Sequence, residues 1–348
     1  MEVRERVPLA PLTTLRLGGP AARLVVAADA GQIVEAVAAA DAAGDRVLLL
    51  GGGSNLVVAD DGWPGTVVVL RGRGVAVTAD GDRRLVTAQA GEPWDELVTR
   101  TVAEGWAGIE CLAGIPGLTG ATPVQNVGAY GQEVSEIVAA VSAYDRERGK
   151  VRQLTAADCG FGYRHSVFKT TERYVVLAVT FTLRAAEKSA PVRYAELARA
   201  LGVEVGEVAP LADVPAAVLA LRRGKGMVVD DDDPDTWSVG SFFTNPVLDD
   251  AALAAFEARL DPRATYPSWP AEGGRKLSAA WLIERTGFRK GYGGDAVRLS
   301  SKHTLALTHR GGGSTAELVA LAREIREGVL ARFSVTLEPE PRLVGIRL

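Results

Sequence analysis

Three features of the sequence point to a chain of mixed helix and strand in two or three domains. Its 348 residues are more than one hydrophobic core usually spans. Short apolar runs of strand type alternate with stretches whose apolar residues recur at helical spacing. Hydrophobic residues make up 47% and charged residues 24%, a balance that supports packed cores and excludes a disordered chain.

Residues 29–43 read as the first helix. Asp29 is placed to cap it, Ile33, Val37 and Ala40 share one face, and Gly44 stops it. Arg46–Leu50 is a short buried strand that runs into a glycine turn, with Val57-Val58 resuming as strand. Residues 60–65 are turn chemistry, and Val67–Leu70 and Leu85–Ala90 are strands. Glu92-Pro93-Trp94 opens a second helix that should end at Gly105. Residues 107–131 are rich in glycine and nearly uncharged, so they are expected to be buried and to wrap a ligand rather than to form a solvated linker. Val138–Asp145 and Arg173–Leu183 are strands, separated by the aromatic and polar segment Phe161–Lys169. From about residue 211 the pattern turns helical, over Asp213–Leu221, Asp249–Leu260, Lys276–Thr286 and Thr315–Arg332. Ser314 and Glu317 have capping-box spacing ahead of the last of these. Strand-like Ser334–Leu337 and Arg342–Ile346 close the chain, and no internal repeat is seen.

Composition narrows the function classes. A net charge of −4 argues against a general nucleic-acid binder. No run of 18 apolar residues is available for a membrane span, and the charged start Met1–Arg6 lacks a secretory apolar stretch. The expected location is the cytoplasm. Two cysteines, Cys111 and Cys159, in no CxxC pattern exclude a disulfide scaffold or a zinc ribbon, and three histidines argue against a metal centre.

Six segments could carry chemistry. Gly51-Gly52-Gly53-Ser54-Asn55 after a strand can form a nest of N–H groups for a diphosphate, or simply a tight turn, and the two readings weigh about equally. It is neither a P-loop nor a GxGxxG turn leading into a helix. Gly114-Ile115-Pro116-Gly117 and Gly120-Ala121, continuing through Gln125-Asn126-Val127-Gly128-Ala129-Tyr130-Gly131, could line a flat heterocycle, the alternative being a structural loop. Arg164, within Tyr163-Arg164-His165-Ser166, offers a fork for a carboxylate or phosphate, or a surface ion pair. Ser241, within Gly240-Ser241-Phe242-Phe243-Thr244-Asn245-Pro246, lies outside any GxSxG context, so taken alone it reads as structural. Glu338-Pro339-Glu340 reads alone as a solvated turn. Lys276 opens an apolar helix, where a cation is disfavoured unless an anion shares the site. The acidic run Asp230–Asp233 reads as a solvated loop, because its spacing is not that of a calcium site.

In this order the motifs resemble the UDP-N-acetylenolpyruvoylglucosamine reductase (MurB) family, from Thr13-Thr14-Leu15-Arg16 to Gly345. The resemblance implies an α+β fold: a two-subdomain FAD-binding fold of the vanillyl-alcohol-oxidase (PCMH) type plus an α+β substrate-binding domain. The implied division is 1–72 and 73–210 for the FAD subdomains, with 332–348 completing the second, and 211–331 for the substrate domain. Pro191–Leu197, with Tyr194, is similar to the tyrosine loop of the family's long form. The resemblance also implies non-covalent FAD, NADPH as co-substrate, a nucleotide-sugar substrate and a monomer. Arg164, Ser241 and Glu340 are the implied catalytic set. Gly51–Asn55, Gly114–Gly117, Gly120, Ala121, Gln125, Asn126 and Gly128–Gly131 would hold the cofactor, and Tyr163, Tyr194, Lys225, Asn245 and Lys276 the substrate. The chain departs from the family pattern at His165, Thr244 and Pro341, and none of these removes a catalytic group. A sugar or alcohol oxidase of the same superfamily is the competing expectation, but those often tether flavin to histidine and 114–131 contains none. A non-catalytic nucleotide-sugar binder would have no need of Arg164, Ser241 and Glu340 together.

Overall fold

The computed structural model describes residues 1–348. Its first half runs β1 (Glu2–Pro8), β2 (Pro20–Ala27), α1 (Ala30–Ala42), β3 (Val47–Leu50), β4 (Leu56–Val58), β5 (Trp63–Leu70), β6 (Val75–Asp80), β7 (Arg83–Gln89) and α2 (Trp94–Ala103). There follow β8 (Trp106–Ala107), β9 (Gly128–Ala129), β10 (Gln132–Glu133), β11 (Val138–Asp145), β12 (Lys150–Thr155), α3 (Val167–Thr170) and β13 (Tyr174–Ala185). The second half runs α4 (Ala195–Leu201), α5 (Val214–Gly224), β14 (Val247–Leu248), α6 (Asp250–Glu257), β15 (Ser268–Ala271), β16 (Gly274–Leu277), α7 (Ala279–Arg285), β17 (Val297–Leu299), β18 (Leu307–His309), α8 (Thr315–Phe333) and β19 (Arg342–Val344). No helix is long and apolar enough to cross a membrane.

The chain divides into two compact units, and both are discontinuous. The first comprises Met1–Val7, Ala21–Gly52 and Pro64–Val228, the second Pro8–Pro20, Gly53–Trp63 and Val229–Leu348.

In the first unit a four-stranded sheet has the order β1-β2-β5-β3, with β3 and β5 parallel from Val47↔Thr66 to Leu50↔Val69. Asp29 caps α1 by accepting from the Gln32 N–H, and Ile33, Val37 and Ala40 bury against Val25, Val47 and Val68. The larger sheet has the order β12-β11-β13-β7-β6, with β8 on the edge of β13. Its centre is the 12-residue β13, buried along most of its length, as a strand covered on both faces must be. Trp94 opens α2 and fixes it to this sheet: its ring meets Phe181 edge-on at 5.7 Å and its N–H donates to Leu112 O. α5 also belongs to this unit.

In the second unit, α8 packs Leu318, Leu321, Ile325 and Val329 into a core with Phe242, Phe243, Leu282 and Leu307. The capping box of Ser314 and Glu317 is present. Strand β19 pairs in parallel with β4, from Arg342↔Leu56 to Val344↔Val58.

Two expectations are corrected here. Lys276 does not open a helix: it lies in β16, paired with Val247 and Trp269, and α7 starts only at Ala279 because Ser278 accepts from the Trp281 N–H as its cap. Ser334–Leu337 is not a strand. Ser334 ends α8 in the left-handed conformation (φ 57°), and the residues after it join no ladder.

Candidate active site

In the first unit the two glycine-rich stretches meet. A Cβ on Gly52 would lie 2.7 Å from the Gly117 Cα, so backbone touches backbone and no side chain fits. In the second unit Gly53, at φ 64°, is equally constrained, because its Cβ would lie 2.0 Å from Leu12 O. Residues 107–131 are the buried turn structure expected of them, with short 3-10 turns at Glu110–Leu112 and Thr119–Ala121. Glu110, fully buried, holds the stretch by accepting from Gly108 N at 2.6 Å and Ala190 N at 2.9 Å. Thr119 is also buried, and its hydroxyl has no partner. A sealed, unpartnered hydroxyl between close-packed glycine loops fits a bound molecule with hydrogen-bonding edges, which FAD is.

Asn126 plays a different part from a direct amide contact. Its backbone is left-handed (φ 46°). Its Nδ2 donates to Glu133 at 2.8 Å and Gly162 O at 3.1 Å, while Oδ1 accepts from Ser135 N. The side chain pins the loop.

The same loop orients Arg164, whose guanidinium donates to Gly128 O at 3.0 Å and lies 5.4 Å from the Tyr163 ring. Ser166 holds the segment from behind, donating to Val124 O at 2.6 Å and capping α3 through Phe168 N. A second cluster gathers Tyr130, Tyr194, Glu196 and Lys225. The two tyrosine rings meet edge-on at 5.5 Å, and the Lys225 ammonium pairs with Glu196 at 2.5 Å. Burial works against the charge on Lys225, but the hydrogen bond it donates to Glu196, together with the charges of Tyr130, Glu196 and Tyr194, holds its pKa above the ordinary lysine value. Burial raises the Tyr130 phenol, with Lys225 and Arg222 pulling the other way.

Ser241 and Glu340 both belong to the second unit. Phe242 N donates to Leu305 O at 2.7 Å, Glu340 N to Phe242 O at 2.9 Å, and Thr244 N to Glu338 O at 3.0 Å. With the antiparallel bridge Phe243↔Pro339, these bonds lay the Ser241 and Glu340 stretches side by side. Phe242 and Phe243 are buried and lock the register. Nearby in sequence, Asn245 accepts from Ala279 N at 2.9 Å and so helps to start α7.

Three polar groups of the first unit were not singled out from the sequence: Thr119, Glu196 and Arg222. For Arg222 a signal exists, since Val214, Val218 and Arg222 follow at four-residue spacing and so share a helix face. Two members of the acidic run form ion pairs, Asp231 with Arg16 at 2.5 Å and Asp233 with Lys302, and just beyond the run the buried Asp235 pairs with Arg310 at 3.0 Å.

Comparison with known proteins agrees with this geometry. Residues 21–155 match the profile of the FAD binding domain, and residues 232–344 that of the UDP-N-acetylenolpyruvoylglucosamine reductase C-terminal domain. The UDP-N-acetylenolpyruvoylglucosamine reductase of Salinispora arenicola is 58% identical, with 98% of this chain and 95% of that protein covered. That of Thermobifida fusca is 54% identical with 98% of each covered. The crystal structure of the Thermus caldophilus enzyme covers 99% of this chain and 100% of its own at TM-score 0.67 and 24% identity, which shows a shared fold. The fold is thus α+β, with an FAD-binding domain in its first half. Identity of this degree over nearly the full length places the chain in the UDP-N-acetylenolpyruvoylglucosamine reductase family.

Proposed function

We propose that the protein reduces UDP-N-acetylglucosamine enolpyruvate to UDP-N-acetylmuramate with NADPH, a step of peptidoglycan precursor synthesis. The near-full-length identity to relatives named for this reduction is the main support. In this reading 1–72 and 73–210 are the flavin-binding subdomains and 211–331 the substrate-binding domain. Gly51–Asn55, Gly114–Gly117 and Gly128–Gly131 would hold FAD, which would supply the redox chemistry between NADPH and C3 of the enol ether.

The chain's own residues do the rest. Hydride addition at C3 drives negative charge through C2 into the substrate carboxylate. Arg164, already oriented by Gly128, holds that carboxylate and stabilises charge where it grows. Glu340, laid beside the Ser241 stretch, is the second catalytic group at the same carboxylate. Ser241 delivers a proton to C2. An enolate carbon is basic enough to take it from an alcohol, so no histidine partner is required. Tyr163, Tyr194, Lys225, Asn245 and Lys276 grip the nucleotide sugar, Lys225 exchanging Glu196 for diphosphate oxygens.

Anaerobic half-reactions separate these roles. NADPH should bleach the flavin of wild type, and the enolpyruvyl sugar should restore its absorbance. In Ser241→Ala the bleaching should persist while the return slows by about 10²–10⁴-fold, the usual worth of a positioned acid. Normal turnover by Ser241→Ala would overturn the assignment.

A further inference from the structure

We propose that Thr14 is a positioning residue for Ser241, tying the turn that carries this serine to the glycine turn Gly53–Asn55. The proposal rests on the reductase reading above, in which Ser241 delivers the proton, and adds the residue that holds it in place. All the groups involved belong to the second unit. The Thr14 N–H donates to Gly53 O at 3.2 Å, and its hydroxyl donates to Ser238 O at 2.7 Å, so one residue grips both turns.

The stretch around Thr14 is itself held firmly. Thr13 and Leu15 on either side are buried. The Thr13 hydroxyl is spent within its own turn, on Ala10 O at 3.2 Å and Leu17 O at 3.1 Å, whereas that of Thr14 reaches a residue 224 positions along the chain. Arg16 completes the turn in the left-handed conformation (φ 57°). Gly53 packs against it so closely that a Cβ there would lie 2.8 Å from the Thr13 Cα.

Ser238 passes the restraint on. It is buried, and its bridge to Thr308 fixes its register. Its carbonyl accepts from Thr14, while its own hydroxyl accepts from Gly240 N at 3.1 Å. Gly240 then turns in the left-handed conformation (φ 74°), and Phe242 N is anchored on Leu305 O. Ser241 thus lies between two pinned amides, and Thr14 acts on the first of them through Ser238. A proton donor must stay within hydrogen-bond reach of its acceptor, and a displacement of about 1 Å costs on the order of 10²-fold in rate.

The test uses the holoenzyme in anaerobic half-reactions. Thr14→Val matches threonine in shape, keeps the N–H for Gly53 O and removes the hydroxyl. It should retain flavin and bleach with NADPH at the wild-type rate, but recover its absorbance with the enolpyruvyl sugar about tenfold more slowly or worse. Thr14→Ser, which keeps the hydroxyl, should recover at close to the wild-type rate. The double variant Thr14→Val/Ser241→Ala should be no slower than Ser241→Ala, because a residue that acts through Ser241 then has nothing left to place. Apart from activity, amide hydrogen exchange over 237–243 should quicken about tenfold in Thr14→Val. A wild-type return in Thr14→Val overturns the proposal. So does equal slowing of bleaching and return, loss of flavin, or a penalty that adds in full to that of Ser241→Ala. If Thr14→Val does not fold, Ser238→Ala, which breaks the next bond in line, decides instead: selective slowing of the return supports the proposal and a wild-type return refutes it. Failure of the parent reading is distinguishable, because Ser241→Ala alone would then recover its absorbance at the wild-type rate.

Discussion

Cys111 and Cys159 are both buried, and burial pushes both thiols up, Cys159 to about 11. Since only a thiolate reacts, neither should titrate with a disulfide reagent in the native protein, and both should do so in denaturant. Rapid native reaction of either would contradict its placement. Gly52 gives a sharper test. Alanine there must push the Gly117 backbone away, at a cost of about 1–3 kcal/mol, and should also loosen the flavin. Thermal midpoint and the flavin-to-protein absorbance ratio should fall together. At this level the sequence was only partly legible. That the Gly51–Gly53 run marks a tight backbone could be read from the run itself, but the partner of Gly52 at Gly117 could not, because the contact joins residues far apart in the chain. Asn126 looked like a ligand donor, yet its amide is consumed by Glu133, Gly162 and Ser135, which only coordinates reveal.

Helices with a cap in their sequence were placed to within a few residues. Asp29, Ser314 and Glu317 did this for α1 and α8, because an N-cap is a local device. Ser314→Ala should therefore cost about 1 kcal/mol in urea unfolding. Strands were legible when apolar, as β11 and β13 are, and missed when exposed. β6 has five exposed residues out of six, and only its pairing with β7 makes it a strand. The Lys276 segment failed for a related reason. Apolar spacing over 276–286 fits a helix, but the first residues are claimed by the β16 ladder. At the end of β11, Arg173 donates to Asp145 at 2.6 Å and 2.9 Å and holds its carboxyl at about 2. The folded value lies below the unfolded one, so this pair stabilises fully above the ordinary carboxylate range and is lost as pH falls through about 2. The unfolding midpoint of Asp145→Asn should lie well below wild type at pH 6, with the gap closing as the medium approaches pH 2.

The division into two units is where sequence reading reached least. The division implied by the family resemblance uses long spans, with only 332–348 returning to an earlier one, whereas the contacts interleave the chain, with Pro8–Pro20 and Gly53–Trp63 grouped with residues beyond 228. Leu15, Leu17 and Val57 are buried among side chains from 239–337, so a fragment 1–228 leaves them without a core. It should aggregate or bind a hydrophobic dye, and a soluble, monomeric fragment with native-like near-ultraviolet dichroism would argue otherwise. The family resemblance, by contrast, was legible from six short motifs, because it depends on order along the chain rather than on packing.

The pairing of β4 with β19 sets a timetable for biosynthesis. The stretch just after Ser54-Asn55 finds its strand partner only in Arg342–Val344, far along the chain. Until Arg342–Val344 have been made, that edge of the nascent chain stays open. Chains interrupted before Arg342 should therefore emerge with less bound flavin than full-length ones.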